Sequence, residues 1–253
     1  MSRNKDTRQQ KILRELELRP SLRVSELAER LLVSAETIRR DLDDLTGEGL
    51  IDRTYGGAVR RLAAEPAVGE RHGLLVPERE AIARTACRQL KGARYLMLGS
   101  GATTVHVARR IAIELRELTV ITHSFGVATV LSLNPTIEVI MTPGRYHAGE
   151  GALHGAETLH FLNGLRVDWA ILGASGLSEQ GPSDALLDAG AVYAAMLRRS
   201  TRTMIVADAS KFDLVFPSAW AGWDAVDVMV TDKAPQGRLG TALADAAVAV
   251  LLP

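Results

Sequence analysis

Two adjacent arginines, Arg39 and Arg40, occur in a segment whose spacing can turn them toward a polyanion. Ile38, Leu42 and Leu45 recur at intervals of four and three residues, which predicts a helix that buries these three side chains. The outward face of this helix then carries Glu36, Thr37, Arg39, Arg40 and Asp43. An arginine can donate two hydrogen bonds to the O6 and N7 atoms of guanine or pair with a phosphate, so this face could read duplex DNA.

The elements around this helix predict a helix-turn-helix followed by a small hairpin. Ser34 is placed to cap the helix, and glycines at 47 and 49 end it. In chain order the predicted elements are helix 8–18, helix 25–31, the third helix, strand 50–55 and the turn Gly56-Gly57. In such a unit the third helix enters the major groove, which is about 12 Å wide. The same arginines could instead form an ordinary solvated helix face.

A second candidate is the loop Gly99-Ser100-Gly101-Ala102-Thr103-Thr104, which follows a predicted strand and precedes a predicted helix. Its glycines let backbone N–H groups converge, its hydroxyls add hydrogen bonds, and the helix N-terminus adds positive potential. This combination suits a phosphate or a carboxylate. Many turns of this composition are structural, so the loop alone leaves both interpretations open.

Further small or hydroxyl-bearing turns follow the other predicted strands. In open parallel sheets, ligands bind beyond the carboxyl ends of the strands, so these turns are expected to gather around one site. Lys211 adds a cation that could balance an anionic ligand, although it could also be an ordinary surface lysine. The candidate ligand-binding residues are Gly99, Ser100, Gly101, Ala102, Thr103, Thr104, Thr122, His123, Ser124, Gly144, Gly173, Ser175 and Lys211.

From residue 77 onward, continuous apolar runs alternate with helical stretches, which predicts an α/β domain with a mostly parallel sheet covered on both faces. The predicted strands are 94–98, 118–122, 137–141, 167–173, 203–207 and 226–230, and the predicted helices are 77–90, 103–115, 125–133, 152–165, 185–200 and 239–250. The expected organisation is a winged helix-turn-helix domain over 1–57, a linker over 58–76, and an α/β domain over 77–253.

The composition narrows the class of protein. The 253 residues contain 30 basic and 30 acidic side chains, so no net charge indicates a nucleic-acid or membrane partner. The single cysteine, Cys87, excludes an internal disulfide framework. The N-terminus has no apolar signal segment, and no apolar run approaches ~20 residues, so we expect a cytoplasmic protein. The histidines lack metal-ligand spacing, so we expect neither a metal nor a cofactor.

The strings RQQKILREL, SAETIRRDLDDL and GLIDRTYGGA resemble the winged helix-turn-helix of DeoR-type bacterial transcriptional regulators. The resemblance implies that the third helix enters the major groove and that Thr37, Arg39 and Arg40 contact DNA. It carries Ser34 over as a helix cap or a phosphate contact, and it places Arg53 in the wing. The predicted DNA-binding residues are Ser34, Glu36, Thr37, Arg39, Arg40, Arg53, Gly56 and Gly57.

Residues 77–232 resemble the sensor domain of the same regulators, which shares a fold with ribose-5-phosphate isomerase and CoA transferases. The matching positions are Ser100-Gly101, Thr103-Thr104, Thr122, Gly144, Gly155, Asp168, Gly173, Asp208, Ser210-Lys211-Phe212 and Thr231-Asp232. In that family the domain binds a phosphorylated sugar or related metabolite, which alters DNA affinity. The resemblance therefore implies that residues 77–253 form an effector-sensing and oligomerisation domain, which binds a small-molecule effector rather than a cofactor.

Four positions depart from the family pattern. An aspartate usually precedes the Ser-Gly-Thr-Thr loop, where Gly99 stands, and an asparagine usually follows Thr122, where His123 stands. A common glutamate and lysine fall on Ala189 and Tyr193. Either the protein senses an atypical molecule, or its ligand function has decayed. His123 could replace a lost donor, and its charge would then vary near neutral pH.

The sequence predicts a DNA-binding transcriptional regulator, expected to repress a carbohydrate-utilisation operon. We expect it to bind double-stranded operator DNA through residues 34–57 and to assemble as a dimer or tetramer through its C-terminal domain, because one half-site offers too few contacts. Two alternatives remain: a sugar-phosphate isomerase or CoA transferase-like enzyme on the same fold, and a repressor without an effector. The absence of a convincing acid–base pair disfavours the enzyme, so no catalytic residue is predicted.

Overall fold

The computed structural model describes residues 3–18, 21–47, 50–54, 57–60 and 67–253. The chain divides into two compact units, Met1–Ala64 and Glu65–Pro253, here called the N-terminal unit and the C-terminal unit. Among the described residues, the N-terminal unit has one hydrophobic core and the C-terminal unit has two.

Within its described residues, the N-terminal unit consists of helices and a small antiparallel sheet. In chain order its elements are α1 (Arg3–Leu18), β1 (Ser21–Arg23), α2 (Val24–Leu31), α3 (Ala35–Gly47), β2 (Ile51–Thr54) and β3 (Gly57–Arg60). The strand order is β1-β3-β2. The three predicted helices and the strand after them are confirmed, whereas β1 is a three-residue strand that the sequence analysis missed.

The helix α3 forms because its apolar residues recur at helical spacing. Ile38, Leu42 and Leu45 are at most 1% exposed and share the core of the N-terminal unit with Ile12 and Leu27. The predicted buried face of the third helix is therefore confirmed, and its polar face is turned outward.

The C-terminal unit alternates strands and helices along most of its length. Its elements are α4 (Val68–Arg71), α5 (Val76–Gln89), β4 (Tyr95–Leu98), α6 (Ala102–Glu114), β5 (Leu118–Thr122), α7 (Phe125–Leu131), β6 (Ile137–Met141), β7 (Arg145–His147), β8 (Ala152–His154), α8 (Ala156–Asn163), β9 (Val167–Leu172), β10 (Gly176–Ser178), β11 (Gly181–Asp184), α9 (Leu187–Arg198), β12 (Ser200–Val206), β13 (Ser218–Ala219), β14 (Val228–Val230), α10 (Gly237–Asp245) and β15 (Ala249–Leu251). Short 3-10 turns occupy Ala209–Lys211 and Trp223–Ala225.

Seven of these strands form one parallel sheet in the order β15-β14-β12-β9-β4-β5-β6. Successive residues of β4 point to opposite faces, so Leu96 and Leu98 enter one core and Met97 enters the other. Both faces of the sheet are covered, which explains why most residues of its strands are apolar. The predicted α/β class with a mostly parallel sheet is confirmed.

The direction of strand addition reverses between the neighbouring strands β4 and β9. From β4 the chain continues to β5 and β6 on one side, and from β9 it continues to β12, β14 and β15 on the other. Such a switch point opens a crevice beyond the carboxyl ends of the two strands. The loops that follow β4 and β9 therefore meet in one place.

Two predicted helices contain a strand. The segment 152–165 begins as β8, and α8 starts only after Gly155, whose φ of 117° is incompatible with a helix. The segment 239–250 ends as β15, because Ala247 has φ 57° and the chain beyond it extends to pair with β14.

The predicted linker, residues 58–76, is structured at both ends. Residues through Arg60 continue β3, which pairs with both β1 and β2. In the C-terminal unit, Val68–Arg71 forms α4, and the Val68 N–H donates to the carbonyl oxygen of Gly149 at 2.8 Å. These two described ends are structured because their backbone groups find partners within their own units.

Candidate functional site

Ser34 fixes the start of α3. Its Oγ accepts a hydrogen bond from the Thr37 N–H at 3.2 Å and lies 2.8 Å from the Thr37 Oγ1. This contact satisfies one of the amides that a helix N-terminus leaves without a helical acceptor. Ser34 therefore acts as the helix cap, which is one of the two roles that the resemblance implied.

Arg39 and Arg40 lie on the outward face of α3 with exposed side chains. Their side chains are 56% and 78% exposed, and the Glu36 carboxylate lies 3.5 Å from each guanidinium group. Exposed pairs of this type are weak because water screens them. A guanine edge or a phosphate can therefore replace Glu36 as the partner of these arginines.

The opposite side of α3 is anchored by a carboxylate that the sequence analysis missed. Asp41 is 1% exposed and accepts two hydrogen bonds from the Arg8 guanidinium of α1, one of them 2.9 Å long. The hydrogen bond with Asp41 raises the pKa of Arg8. A two-point contact fixes orientation as well as distance, so α1 sets how α3 is presented. The signal was the spacing, because position 41 falls between the buried positions 38 and 42.

The wing residues are described in part. Arg53 lies on β2, and Gly56 falls outside the described residues. Gly57 is buried at the start of β3, where a Cβ would come within 2.3 Å of the Leu22 carbonyl oxygen. Its assignment as a DNA-binding residue is therefore corrected: Gly57 lets β3 pack closely against β1.

A pocket of about 410 Å³ lies at the switch point between β4 and β9. Most of the predicted ligand-binding residues line it, namely Ser100, Gly101, Ala102, Thr103, Thr104, Gly173, Ser175 and Lys211. The lining residues that were not predicted are Arg71, Arg79, Glu150, Ala174, Asp184, Tyr193, Val206 and Ala207. The sheet topology thus explains why loops distant in the sequence share one site.

The N-terminus of α6 forms one wall of the pocket. Gly101 has φ 127°, which residues with a side chain rarely adopt, and the first helical hydrogen bond runs from the Val105 N–H to the Gly101 carbonyl at 3.2 Å. The amides of residues 102–104 precede that bond and have no helical acceptor. Together with the positive end of the helix dipole, they suit an anionic group.

Three cationic side chains from separate elements line the same pocket: Arg71 of α4, Arg79 of α5, and Lys211 after β12. The Arg79 guanidinium donates to the Asp208 carboxylate through two contacts of 3.2 Å and to the Arg71 carbonyl oxygen. Arg71 in turn forms an ion pair with Glu150 at 2.5 Å. The cluster is therefore internally braced as well as cationic.

Asp208 links this cluster to the turn that carries Lys211. Its side chain is 1% exposed, and it caps the turn by accepting the Ser210 N–H at 3.2 Å. Arg79 was not predicted as a site residue, since it lies on a helix rather than in one of the loops that follow the strands. A signal was present, since position 79 shares a helix face with the buried residues Ile82 and Ala86.

His123 is not part of the pocket lining. It is fully buried: its Nε2 accepts the Ser100 N–H at 3.0 Å, and its Nδ1 donates to the Leu153 carbonyl at 3.0 Å. Burial, with a smaller effect from His154, lowers the pKa of His123 to about 3. The expectation that its charge varies near neutral pH is therefore wrong. His123 instead holds the Ser100 loop in place.

Thr122 and Ser124 also lie outside the pocket lining, because the fold uses their hydroxyls. The Thr122 Oγ1 donates to the Leu98 carbonyl at 2.8 Å, which ties the ends of β4 and β5 together. The Ser124 Oγ accepts the Val127 N–H at 3.4 Å and caps α7. Both are corrected from ligand-binding to structural residues.

Gly99 and Gly144 do not line the pocket, so their prediction as ligand-binding residues is likewise corrected. A Cβ at Gly144 would come within 2.3 Å of the Thr158 Oγ1, so this glycine permits a close approach of two segments. A Cβ at Gly99 would come within 2.8 Å of the Tyr193 Cε1. The space beside Gly99 is therefore already filled by the tyrosine ring.

Tyr193 of α9 lines the pocket although it is only 3% exposed. Its hydroxyl donates to the Ser100 carbonyl oxygen at 2.9 Å and lies 3.0 Å from the Ser100 Oγ. Burial raises the pKa of the Tyr193 phenol well above its usual value, so the group remains a donor. Ala189, one turn earlier on α9, is buried and brings no polar group to the site.

Other reactive groups do not form a site within the described part of the chain. No group of three His, Cys, Asp or Glu side chains there could hold a metal ion. Burial raises the pKa of the Cys87 thiol to about 12, which suppresses the reactive thiolate. Among the described helices, none has the length and apolar character needed to span a bilayer.

An outward arginine pair on a helix-turn-helix unit, combined with an α/β unit that contains a cation-lined pocket, defines a ligand-sensing DNA-binding regulator. Residues 8–61 match the DeoR-like helix-turn-helix domain, and residues 76–233 match the DeoR C terminal sensor domain. The chain belongs to the DeoR family of transcriptional regulators, as its sequence motifs predict.

Similarity to individual proteins supports this family assignment. The chain is 30% identical over 225 residues to the glycerol-3-phosphate regulon repressor of Escherichia coli (strain K12), covering 87% of this chain and 88% of that repressor. It is 28% identical over 238 residues to the lactose phosphotransferase system repressor of Lactococcus lactis subsp. lactis, covering 91% and 92%. Among solved structures, ribose 5-phosphate isomerase A of Methanocaldococcus jannaschii is similar at 18% identity and a TM-score of 0.39, with 53% of each chain covered.

Proposed function

We propose that this protein represses a carbohydrate-utilisation operon and that a phosphorylated sugar or related metabolite, bound in the pocket, changes its affinity for operator DNA. Two similar proteins are repressors, one named for a glycerol-3-phosphate regulon and one for a lactose phosphotransferase system. The observation that carries the proposal is the joint presence of a helix N-terminus and three cations around one pocket. No cofactor is required for this function.

The DNA contact is assigned to the N-terminal half of α3. The exposed Arg39 and Arg40 can reach guanine edges or phosphates, and Thr37 can contact either a base edge or a thymine methyl. Glu36 can accept a hydrogen bond from the N4 amino group of cytosine when the arginines turn to DNA. Arg53 and the Gly56 turn are assigned to the flanking backbone, which positions the helix without reading sequence.

The effector is assigned to the pocket of the C-terminal unit. Its anionic group would meet the amides of residues 102–104 and the side chains of Arg71, Arg79 and Lys211. Because Arg71 is already paired with Glu150, an incoming phosphate would compete with that carboxylate for the guanidinium. Arg71 lies on α4, the first helix of the C-terminal unit, so the competition acts where this unit begins.

A dimer or tetramer is part of the proposal. A single helix-turn-helix unit covers one half-site, and two-fold related units read two half-sites about one helical turn of DNA apart. The pairing would be made by the C-terminal unit, which holds most of the chain.

The enzyme alternative is less favoured by the same pocket. Its carboxylates are held in structural contacts: Glu150 pairs with Arg71, and the Asp184 Oδ1 accepts the Leu186 N–H at 3.0 Å. A general acid–base pair would need groups directed at a substrate with pKa values suited to proton transfer.

A thermal-unfolding screen tests the effector assignment. All three tryptophans lie in the C-terminal unit, so their fluorescence follows its unfolding. A phosphorylated sugar present at 100 times its Kd is expected to stabilise the unit by about 2.7 kcal/mol, whereas the unphosphorylated sugar has little effect. Lys211→Met should weaken the response, and the exposed Lys233→Met serves as the control. If no phosphorylated compound shifts the melting temperature, the repressor without an effector becomes the better description.

A further inference from the structure

Tyr193 forms a buried wall of the pocket, and it is held there on several sides. Its hydroxyl is hydrogen-bonded to the backbone and side chain of Ser100. Its ring stands edge-on to His123 with a centroid distance of 5.8 Å, and edge-on to Trp220 at 5.4 Å. Aromatic contacts of this geometry are favourable, and both neighbours are themselves buried. The ring therefore remains in place when a ligand enters.

The absence of a side chain at Gly99 is what makes room for this ring. A Cβ at position 99 would come within 2.8 Å of the Tyr193 Cε1 and 3.3 Å of the Leu172 Cδ2. Real Cβ atoms do not approach carbon atoms as closely as the first distance, so any other residue at position 99 must displace the tyrosine. Gly99 and Tyr193 are therefore a matched pair, here called the Gly99–Tyr193 wall.

The Gly99–Tyr193 wall reduces the space available to a ligand. The space of about 410 Å³ at the pocket includes open solvent at its mouth, so the part of it that protein atoms surround is smaller. The cations and the α6 N-terminus attract the anionic group of the ligand. The Gly99–Tyr193 wall limits the space for the rest of the ligand. At the wall, the Tyr193 hydroxyl is already committed to Ser100.

We infer that the Gly99–Tyr193 wall limits the size of the effector beyond its anionic group, so that the pocket takes shorter phosphorylated compounds in preference to hexose phosphates. This inference rests on the proposed function, because it concerns the size of the ligand that the proposed pocket binds. Tyr193 is thereby a specificity-determining residue that acts through the volume of its ring.

Calorimetric titration of the full-length protein with a series of phosphorylated compounds tests the inference. The series consists of glycerol 3-phosphate, erythrose 4-phosphate, ribose 5-phosphate and fructose 6-phosphate. The wild-type protein is expected to bind the three- or four-carbon compound at least about tenfold more tightly than the six-carbon compound, the scale of discrimination by pocket size. Tyr193→Ala should reduce that ratio about tenfold or more by opening the wall.

Two further variants separate the ring from its hydroxyl and keep the test decisive. Tyr193→Phe retains the ring and should keep the wild-type size preference, although it loses the hydrogen bond to Ser100. Tyr193→Leu also opens the wall and replaces Tyr193→Ala if the larger deletion unfolds the protein. In a separate check of the matched pair, Gly99→Ala should lower the melting temperature of the wild-type protein more than that of the Tyr193→Ala protein.

The possible failures point to different errors. A wild-type preference for the six-carbon compound, or the same size preference in the Tyr193→Ala and wild-type proteins, overturns the role of the wall and leaves the proposed function intact. If none of the four compounds binds any of these proteins, while none of a wider set of sugar phosphates binds either, the proposed function fails and the inference fails with it.

Discussion

Arg40 and His123 show how burial decides what a polar side chain can do in this protein. Arg40 is 78% exposed, and its carboxylate neighbour Glu36 is itself in water, so the fold makes little use of its charge. His123 is fully buried between Ser100 and Leu153, so the fold uses both ring nitrogens and leaves none for a ligand. The first side chain is therefore available for recognition, and the second supports the residues that are.

Arg40→Ala should weaken operator binding without destabilising the protein. Loss of one good arginine–base contact is expected to reduce affinity by roughly 1–3 kcal/mol, measured by gel-shift titration at fixed salt. Arg238→Ala is the matched control, because Arg238 is 71% exposed and lies in the C-terminal unit. Operator affinity equal to that of the control would count against the assignment of α3 to DNA.

The buried His123 should make the C-terminal unit sensitive to acid. Because burial lowers its pKa to about 3, His123 is neutral in the folded protein and takes up a proton on unfolding once the pH falls below its unfolded value of about 6.5. The stability should therefore fall by roughly 1.4 kcal/mol for each pH unit between about 6.5 and 3, with no such change above that window. Urea unfolding followed by tryptophan fluorescence at pH 7.5 and pH 5 measures this loss.

His123→Gln isolates this contribution from those of the other histidines. Glutamine can still accept the Ser100 N–H but does not titrate, so the variant should lose less stability between pH 7.5 and pH 5 than the wild-type protein. The exposed His160→Gln should retain the wild-type dependence. The same acid sensitivity in both variants would show that another group is responsible.

At the scale of elements, the strands and helices that were predicted correctly are those whose conformation a local sequence pattern determines. The strands β5 and β6 were predicted with their observed bounds because each is a short, mostly apolar run between helical segments. The strands β8 and β15 were missed because each is three residues long and forms only when a partner is present. Short strands take their conformation from tertiary pairing rather than from their own propensity.

The same distinction applies to the pocket. Its loops after β4 and β9 were predictable, because parallel strands bring their carboxyl ends to one edge. The positions of Arg71 and Arg79 were not, since helices α4 and α5 bring them to the crevice only through packing. His123 and Tyr193 could not be assigned from sequence, because their roles depend on which way a side chain turns at the end of a strand or along a helix.

The contact between α1 and α3 should control the stability of the DNA-reading helix. Arg8→Met leaves Asp41 buried without its cation, and because Arg8 is 23% exposed we expect a loss of about 3 kcal/mol, the lower end of the range for buried pairs. Hydrogen exchange of the α3 amides in the full-length protein measures the loss. Arg30→Met removes an exposed pair with Glu15 and should cost less than about 1 kcal/mol. Equal effects of the two variants would refute the anchoring role of Asp41.

At the scale of the whole molecule, each unit has its own hydrophobic core or cores, and each carries one of the two proposed binding sites. The core of the N-terminal unit supports a polar helix face, and the two cores of the C-terminal unit flank a sheet whose switch point holds the pocket. Regulation then requires a free-energy coupling between the sites, and such a coupling must be reciprocal. An effector that weakens DNA binding by a given factor must itself bind more weakly, by the same factor, to the DNA-bound protein.

That reciprocity gives a prediction for the complete protein. A phosphorylated effector should change operator affinity by about 5- to 150-fold in a gel-shift titration, and operator DNA should change effector affinity by the same factor in calorimetry. Lys211→Met should weaken the response to the effector while keeping operator affinity in the absence of effector. Arg40→Ala should weaken operator binding while keeping effector affinity. If Lys211→Met lowers operator affinity without any effector present, or if Arg40→Ala weakens effector binding, the DNA site and the effector site are not confined to separate units.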